Sequence, residues 1–452
     1  MIIADPLRSP PLAANSHSKQ EPTHLEQDMV VKNKNKEDVV TETVLAEDGE
    51  EAHDCPDGGL RAWLVVVGLF CGMVGMIGII NAWGTFQAYY QEVKLPQRSS
   101  SDIAWIGSVQ NGVIYVVGLP LGRLFDMGYL KLPMLLASAL FIACLFLTAE
   151  CTEYWQFLLC QGFGMGIASG VLFNMGNMLM THWFKRRLGL ALACMFAGAS
   201  IGGCIFPIIV RTLLGHRSFQ WTMRILGFIA LGLLAVTNVT IAGRLPPKQG
   251  RTPLVSVAEF KRPAYSIYVS AWCISNLGLW TCMTYLTLSA VDAGLNATLA
   301  FNLLAILNAT STLGRISSGI LADRYGPLNI LVPASLIVAV VTYAWPFAKS
   351  TAAFVMIAVL IGVSSGAILA IVVQPFARMG SVANVGMRIG MGSTITAIGA
   401  IAGPPIAGAI LDATGSFKDV GYYAGSMLLL STALIGIVRR FVIRIAWVGG
   451  HA

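Results

Sequence analysis

The sequence predicts an all-α integral membrane protein with twelve transmembrane helices arranged as two six-helix bundles. Three observations lead there. The 452-residue chain is 55% hydrophobic and only 12% charged, with a mean hydropathy of +0.68, whereas a soluble domain carries about 25% charged residues. Its apolar residues fall into about twelve runs of roughly 20, each long enough to cross a bilayer, and helix is the economical backbone for such runs because every peptide group is then satisfied internally. One polar stretch, 244–263, divides the runs six and six.

The elements follow in order. Residues 1–55 are polar, with Pro10, Pro11 and acidic clusters at Glu47–Glu51, and hold 5 Lys+Arg against 12 Asp+Glu. No apolar run there matches a signal-peptide core, so the segment reads as a disordered cytosolic tail. The N-terminal bundle, 56–243, holds spans 61–86, 102–124, 132–149, 154–181, 187–213 and 220–243. The linker 244–263 carries Pro246, Pro247, Lys248, Arg251, Pro253, Lys261 and Arg262. The C-terminal bundle, 264–445, holds spans 264–290, 298–321, 328–347, 351–375, 385–411 and 420–443. Basic residues concentrate on one set of connections: Arg123, Lys131, Lys185–Arg187, the linker, Arg324, Arg378, Arg388 and the C-terminal arginines. The positive-inside rule places these in the cytosol, with both termini; the plasma membrane is the expected location of this multi-pass protein, with the vacuolar membrane left open.

The halves echo each other. Gly122-Arg-Leu-Phe-Asp126 closes the second span and Gly319-Ile-Leu-Ala-Asp323 closes the eighth. A repeat at that spacing marks a transporter built from two similar bundles. Glycine lets two helices approach, and the carboxylate can then face the unpaired N–H groups and positive dipole end of a neighbouring helix. Two basic helix starts are available, Lys185-Arg186-Arg187 and the one holding Arg388. The expectation is that Asp323 faces the former and Asp126 the latter. With Arg187, Arg324 and Arg388 they would form a gate that latches one state and releases in the other; a static cap would look the same in sequence.

The Gly-x-Leu-Ala-Asp-Arg-x-Gly turn resembles the signature loop of the major facilitator superfamily. Further segments resemble its monocarboxylate transporter branch, in particular the fungal members: Pro56-Asp-Gly-Gly59 with Trp63, Ser101–Gln110, Trp183–Ala191 with Ala197-Gly198, and Gly403–Gly408. Together they cover about 55–445. The resemblance implies alternating access and transport of a small organic molecule, often a carboxylate, often with a proton. Fungal relatives also export secondary metabolites, which is the alternative reading here. The Gly-Pro-x-x-Gly-Gly pattern of drug/proton antiporters is matched poorly by Gly198-Ala-Ser-Ile-Gly202-Gly203.

Arg315 lies inside the eighth span. A charge in hydrocarbon costs about 2.5–3.5 kcal/mol or more, so it should face a cavity or a partner, and its fork of donors suits a carboxylate. The resemblance assigns it to the substrate carboxylate; bracing by helix carbonyls is the structural alternative. Two positions depart from the animal pattern: Ser311 stands where an acidic residue precedes that arginine, and Asn81 where the first helix carries a lysine. Asn81 is taken as a second substrate contact. No Asp or Glu lies at mid-depth in any span, so beside the proton coupling that the resemblance implies stand facilitated diffusion and a proton carried by the substrate itself. Gln110, Asn111, Asn174, Asn177, Asn276, Asn302, Asn308 and Gln374 are the other polar groups within spans, serving the path or helix bridging.

Other classes are excluded on residue grounds. The histidines are scattered, and no nucleophile elbow or metal-ligand pair is present, so no enzyme, metal or cofactor is expected. The nine cysteines form no CxxC pair. The basic excess sits at helix ends and not on a nucleic-acid face. Asn296-Ala-Thr is the one glycosylation sequon placed in an outward loop. The expected partners are the lipid bilayer and a small-molecule substrate.

Overall fold

A computed structural model describes residues 57–243, 254–380 and 384–448. The tail 1–55 and linker residues 244–253 lie outside the described residues. Among those described, long helical segments succeed one another as α1 Leu60–Lys94, α2 Ser101–Asp126, α3 Lys131–Glu150, α4 Tyr154–Trp183, α5 Leu188–His216 and α6 Phe219–Thr240. After a short turn of helix at Val257–Phe260 come α7 Pro263–Asp292, α8 Ala297–Tyr325, α9 Pro327–Phe347, α10 Thr351–Arg378, α11 Val385–Thr414 and α12 Phe417–Val448. Ten of these are long and apolar enough to cross a membrane. α7 and α8 are equally long but carry more polar side chains, among them Asn276, Asn302, Asn308 and Arg315.

Local chemistry sets the ends. Ser99 and Ser350 accept from the backbone N–H of Asp102 and Ala353 at 3.1 and 3.2 Å, capping α2 and α10. Glu153 and Gln156 form a capping box before α4. Pro263 and Pro327 open α7 and α9, where a missing N–H is harmless. α1 is not a continuous rod. Its ladder breaks at Met76 and again at Asn81-Ala82, and it ends in a π-turn, Tyr90–Lys94. A second π segment, Leu158–Gly164, lies in α4. The two meet: the Tyr90 hydroxyl donates to Gln161 Oε1 at 2.7 Å, both side chains buried.

Helix pairing repeats between the halves. In the first, α1 packs on α5 and α6, α3 on α4 and α6, and α2 on α4; in the second, α7 packs on α11 and α12, α9 on α10 and α12, and α8 on α10. The halves join mainly through α5 with α8 and α2 with α11. Leucines such as Leu132, Leu135, Leu136 and Leu147, with Phe228, Val239 and Val340, stay exposed, as lipid-facing positions require.

Candidate functional site

Two carboxylates tie the halves together at one end. Asp323, on α8, accepts from the backbone N–H of Gly189 (2.6 Å) and Leu190 (2.8 Å) at the start of α5. Asp126, on α2, accepts from Gly386 (3.0 Å) and Met387 (2.9 Å) at the start of α11. Each bidentate cap fills N–H groups that a helix start leaves open, and puts a negative charge on its positive dipole end. Glycine makes the approach possible. A Cβ on Gly122 would meet the Gly386 carbonyl oxygen at 2.3 Å, and one on Gly319 the Gly189 oxygen at 2.6 Å. The same 197-residue step separates Asp126 from Asp323, Gly122 from Gly319 and Gly189 from Gly386.

The basic residues expected around these turns divide. Arg388 is fully buried, its Nε donating to the Phe376 carbonyl at 3.2 Å. The Arg187 side chain is exposed and contributes only its backbone N–H, 3.4 Å from Asp57. Arg324 is exposed and stacks over Tyr325. Both aspartates bond backbone N–H groups, which have fixed direction, and the buried Arg388 also feels the charge of Asp126. The sequence alone assigns no role to Asp57 or Glu259, and marks Gln374 only as a path or helix-bridging group. Asp57 Oδ1 accepts from Lys185 and Arg186 N–H, both at 2.6 Å. Gln374 Nε2 donates to Asp323 at 3.3 Å. Glu259, in the short helix before α7, lies 3.9 Å from the Arg388 guanidinium.

Of the charged side chains described, four are buried: Asp126, Glu259, Arg388 and Arg315. The first three belong to the end just described. Arg315 lies eight residues back along α8 from Asp323, about 12 Å deeper at ~1.5 Å per residue. Its Nε donates to Ser311 at 3.3 Å and one terminal nitrogen to the Phe196 carbonyl on α5. The guanidinium carbon stands 5.9 Å from the Phe196 ring, a cation–π approach. Five N–H donors minus two leaves three for a ligand. The surroundings are aromatic and come from both halves. Phe196 packs on Phe173 of α4 at 5.6 Å, Phe173 on Tyr115 of α2 at 5.5 Å, and Tyr115 on Trp272 of α7 at 6.5 Å. Tyr115 also lies beside Trp280 and Arg315.

Asn81 sits where α1 breaks, and its amide donates to the Ala199 carbonyl of α5 at 3.2 Å. It and Asn308 both border Gly203, where a Cβ would stand 3.0 and 3.1 Å from their side chains. Asn81 is thus one turn or so of α5 away from Arg315's anchor and not in contact with it. Asn174 and Asn276 bond helix carbonyls, and Asn177 is buried with neither polar atom partnered. Asn296 is exposed just before α8.

Residues 64–383 match the Major Facilitator Superfamily. The chain belongs to the major facilitator superfamily. It is therefore a multi-pass membrane transporter. It is similar to the aspyridones efflux protein apdF of Emericella nidulans, 36% identical over 390 residues that cover 85% of this chain and 79% of that one. The MFS transporter asaE of Aspergillus flavus is 35% identical over 388 residues, 85% and 88% of the two chains, and the fujikurins efflux protein of Gibberella fujikuroi 32% over 397, 86% and 85%. Among solved structures, the E. coli fucose:proton symporter FucP covers 82% of this transporter and 97% of its own chain at 18% identity and a TM-score of 0.63. The human organic anion transporter TETRAN covers 84% and 100% at 13% identity and 0.67; these two establish the fold alone. The names of the relatives correct the emphasis of the sequence reading: fungal efflux proteins, and not specifically monocarboxylate transporters, are the similar members of the superfamily.

Proposed function

We propose that this transporter exports a small organic metabolite bearing an acidic or strongly polarised oxygen group, by alternating access across the plasma membrane. The observation that carries the reading is Arg315: a buried guanidinium at the α5–α8 junction, with donors to spare and aromatic walls from both halves. The efflux names of the relatives supply the direction. In this reading Arg315 holds the oxygen group, the aromatic rings hold the apolar body, and Asn81 borders the path one step further along. Bundles 56–243 and 264–445 rock about the site. Asp126 and Asp323, seated on the helix starts framed by Arg187 and Arg388, close the cytosolic gate, with Arg324 on its outer surface. Both termini are cytosolic, and Asn296 lies outside. The buried carboxylates among the described residues, Asp126 and Glu259, sit at the gate, so coupling through a titrating carboxylate in the path is not part of this reading. A simple monocarboxylate is the second reading, favoured by Arg315 but less by walls this aromatic.

The test is export from a yeast host loaded with acidic metabolite extract, for wild type, Arg315→Lys and Arg315→Ala, with folding checked by size exclusion. Export should fall strongly for the alanine variant and in part for the lysine, which keeps the charge but not the fork. Wild-type export by folded Arg315→Ala would reassign Arg315 to bracing Phe196.

A further inference from the structure

Each helix start that receives an aspartate from the opposite half also receives an acid from its own half. At α5 the opposite-half acid is Asp323 and the own-half acid is Asp57, three residues before α1. Asp57 accepts from three successive backbone N–H groups, those of Lys185, Arg186 and Arg187, at 2.6, 2.6 and 3.4 Å. Just beyond Leu188, the N–H groups of Gly189 and Leu190 are those taken by Asp323. At α11 the opposite-half acid is Asp126, and the own-half acid is Glu259, in the short helix four residues before α7. It reaches the buried Arg388, one residue past the two N–H groups Asp126 caps, at 3.9 Å, and Arg262 at 3.6 Å. Asp57 holds a positive φ of 49°, followed by Gly58 and Gly59, also at positive φ. A left-handed aspartate is a sparsely populated conformation, held by its surroundings, and this one aims its carboxylate at the turn.

The two members of each pair face different demands. When the halves part at this end, Asp323 and Asp126 must leave their helix starts, because they ride on the other half. Asp57 and Glu259 need not move, because they ride on the same half as the start they hold. We infer that Asp57 and Glu259 are positioning residues for the gate: each shapes the socket into which the opposite half's aspartate plugs, and stays seated when that aspartate withdraws. Two bidentate N–H pairs, at 2.6 and 2.8 Å and at 3.0 and 2.9 Å from their acceptors, reward a rigid socket, since a hydrogen bond fails steeply with misalignment. A turn at 185–187 left to water would present Gly189 and Leu190 in many directions. The two own-half clamps differ in chemistry: Asp57 grips backbone, Glu259 grips a guanidinium whose backbone neighbours are the socket. The inference rests on the gating role proposed for Asp126 and Asp323.

Amide hydrogen exchange of the full-length protein in detergent or nanodiscs reads the sockets directly and needs no cargo. Four variants decide it: Asp57→Asn, Asp57→Glu, Glu259→Gln and Asp323→Asn. Asp57→Asn, which keeps an acceptor oxygen but loses the charge, should speed exchange at 185–190 about two- to fivefold, the worth of a negative charge at a helix start, and should also speed exchange at Gly386 and Met387 on the far joint, because a weakened first socket favours the open gate. Asp57→Glu should restore much of the protection. Glu259→Gln should do the reverse, loosening 386–387 and, remotely, 189–190. Faster exchange confined to 185–187, with 386–387 unchanged, would overturn the inference and leave Asp57 a local cap. Should Asp57→Asn fail to fold, Glu259→Gln carries the same two outcomes. Asp323→Asn separates the two levels: no change at 386–387 in that variant refutes the gating reading itself, whereas a change there with none in Asp57→Asn or Glu259→Gln refutes only the positioning role.

Discussion

Gly122→Ala tests the gate most sharply, because one methyl group acts on a gap too small to hold it. The added Cβ would stand 2.3 Å from the Gly386 carbonyl oxygen and 2.8 Å from its carbon. Both are backbone, so no rotamer change relieves the clash. Ordinary contact needs roughly 3.4 Å or more, so α2 and α11 must separate by about 1 Å at this level. The two Asp126 bonds, at 3.0 and 2.9 Å, would stretch to about 4 Å, outside hydrogen-bond range. Charge-assisted bonds are worth about 1.5–3 kcal/mol, and losing that much in total from the closed state shifts the closed-to-open ratio roughly tenfold to 150-fold. The assay is pulsed electron resonance between spin labels replacing Tyr129 and Tyr325, which are 56% and 54% exposed and lie just past the two aspartates in opposite halves, in a cysteine-free background. Wild type should be dominated by one short distance and Gly122→Ala by a longer one. An unchanged distribution in folded Gly122→Ala would refute the reasoning that this contact holds the gate shut.

Two further outcomes follow from packing. Gly314→Ala should abolish a monodisperse size-exclusion peak, since its Cβ would sit 2.0 Å from the Val363 carbonyl oxygen, whereas Gly232→Ala, with nothing within 4 Å, should behave as wild type. Tyr90→Phe should cost about 1–3 kcal/mol, read as a fall in melting temperature, because it strands the buried Gln161 oxygen now 2.7 Å from the hydroxyl.

What could be read from sequence follows from the kind of force involved. Apolar runs report burial in lipid residue by residue, so the helical spans were legible to within a few positions, with α1 running on to Lys94 beyond its expected end at 86. The paired Gly-x-Leu-x-Asp turns were legible because the carboxylate and its glycine sit four residues apart. Asp57 and Glu259 carried no role in the sequence and Gln374 only a general one as a path or helix-bridging group, since their partners lie 128, 129 and 51 residues away on remote elements. Backbone N–H groups carry no residue identity at all. For the same reason Arg187 and Arg324 drew attention as charges, while the geometry uses the backbone beside them. Arg315 was legible as an expense in the membrane, but its neighbours Phe196, Tyr115 and Phe173 were not, because aromatic residues in apolar spans carry no signal of their own.

The 197-residue step that relates the two joints also places Gly118 opposite Arg315. The two positions are the same point on two copies of one hinge, and they have gone different ways. At Gly118 an added Cβ would lie 2.9 Å from both Ser393 and Asn174 and 3.2 Å from the Gly390 carbonyl, so almost any substitution jams the joint. At Arg315 the equivalent place holds one of the largest side chains there is, anchored on the Phe196 carbonyl. The two equivalent places therefore differ in what they hold: one has no room for a side chain, the other carries a buried guanidinium. In the role proposed for Arg315, cargo recognition then sits in one copy of the joint and the tight glycine contact in the other.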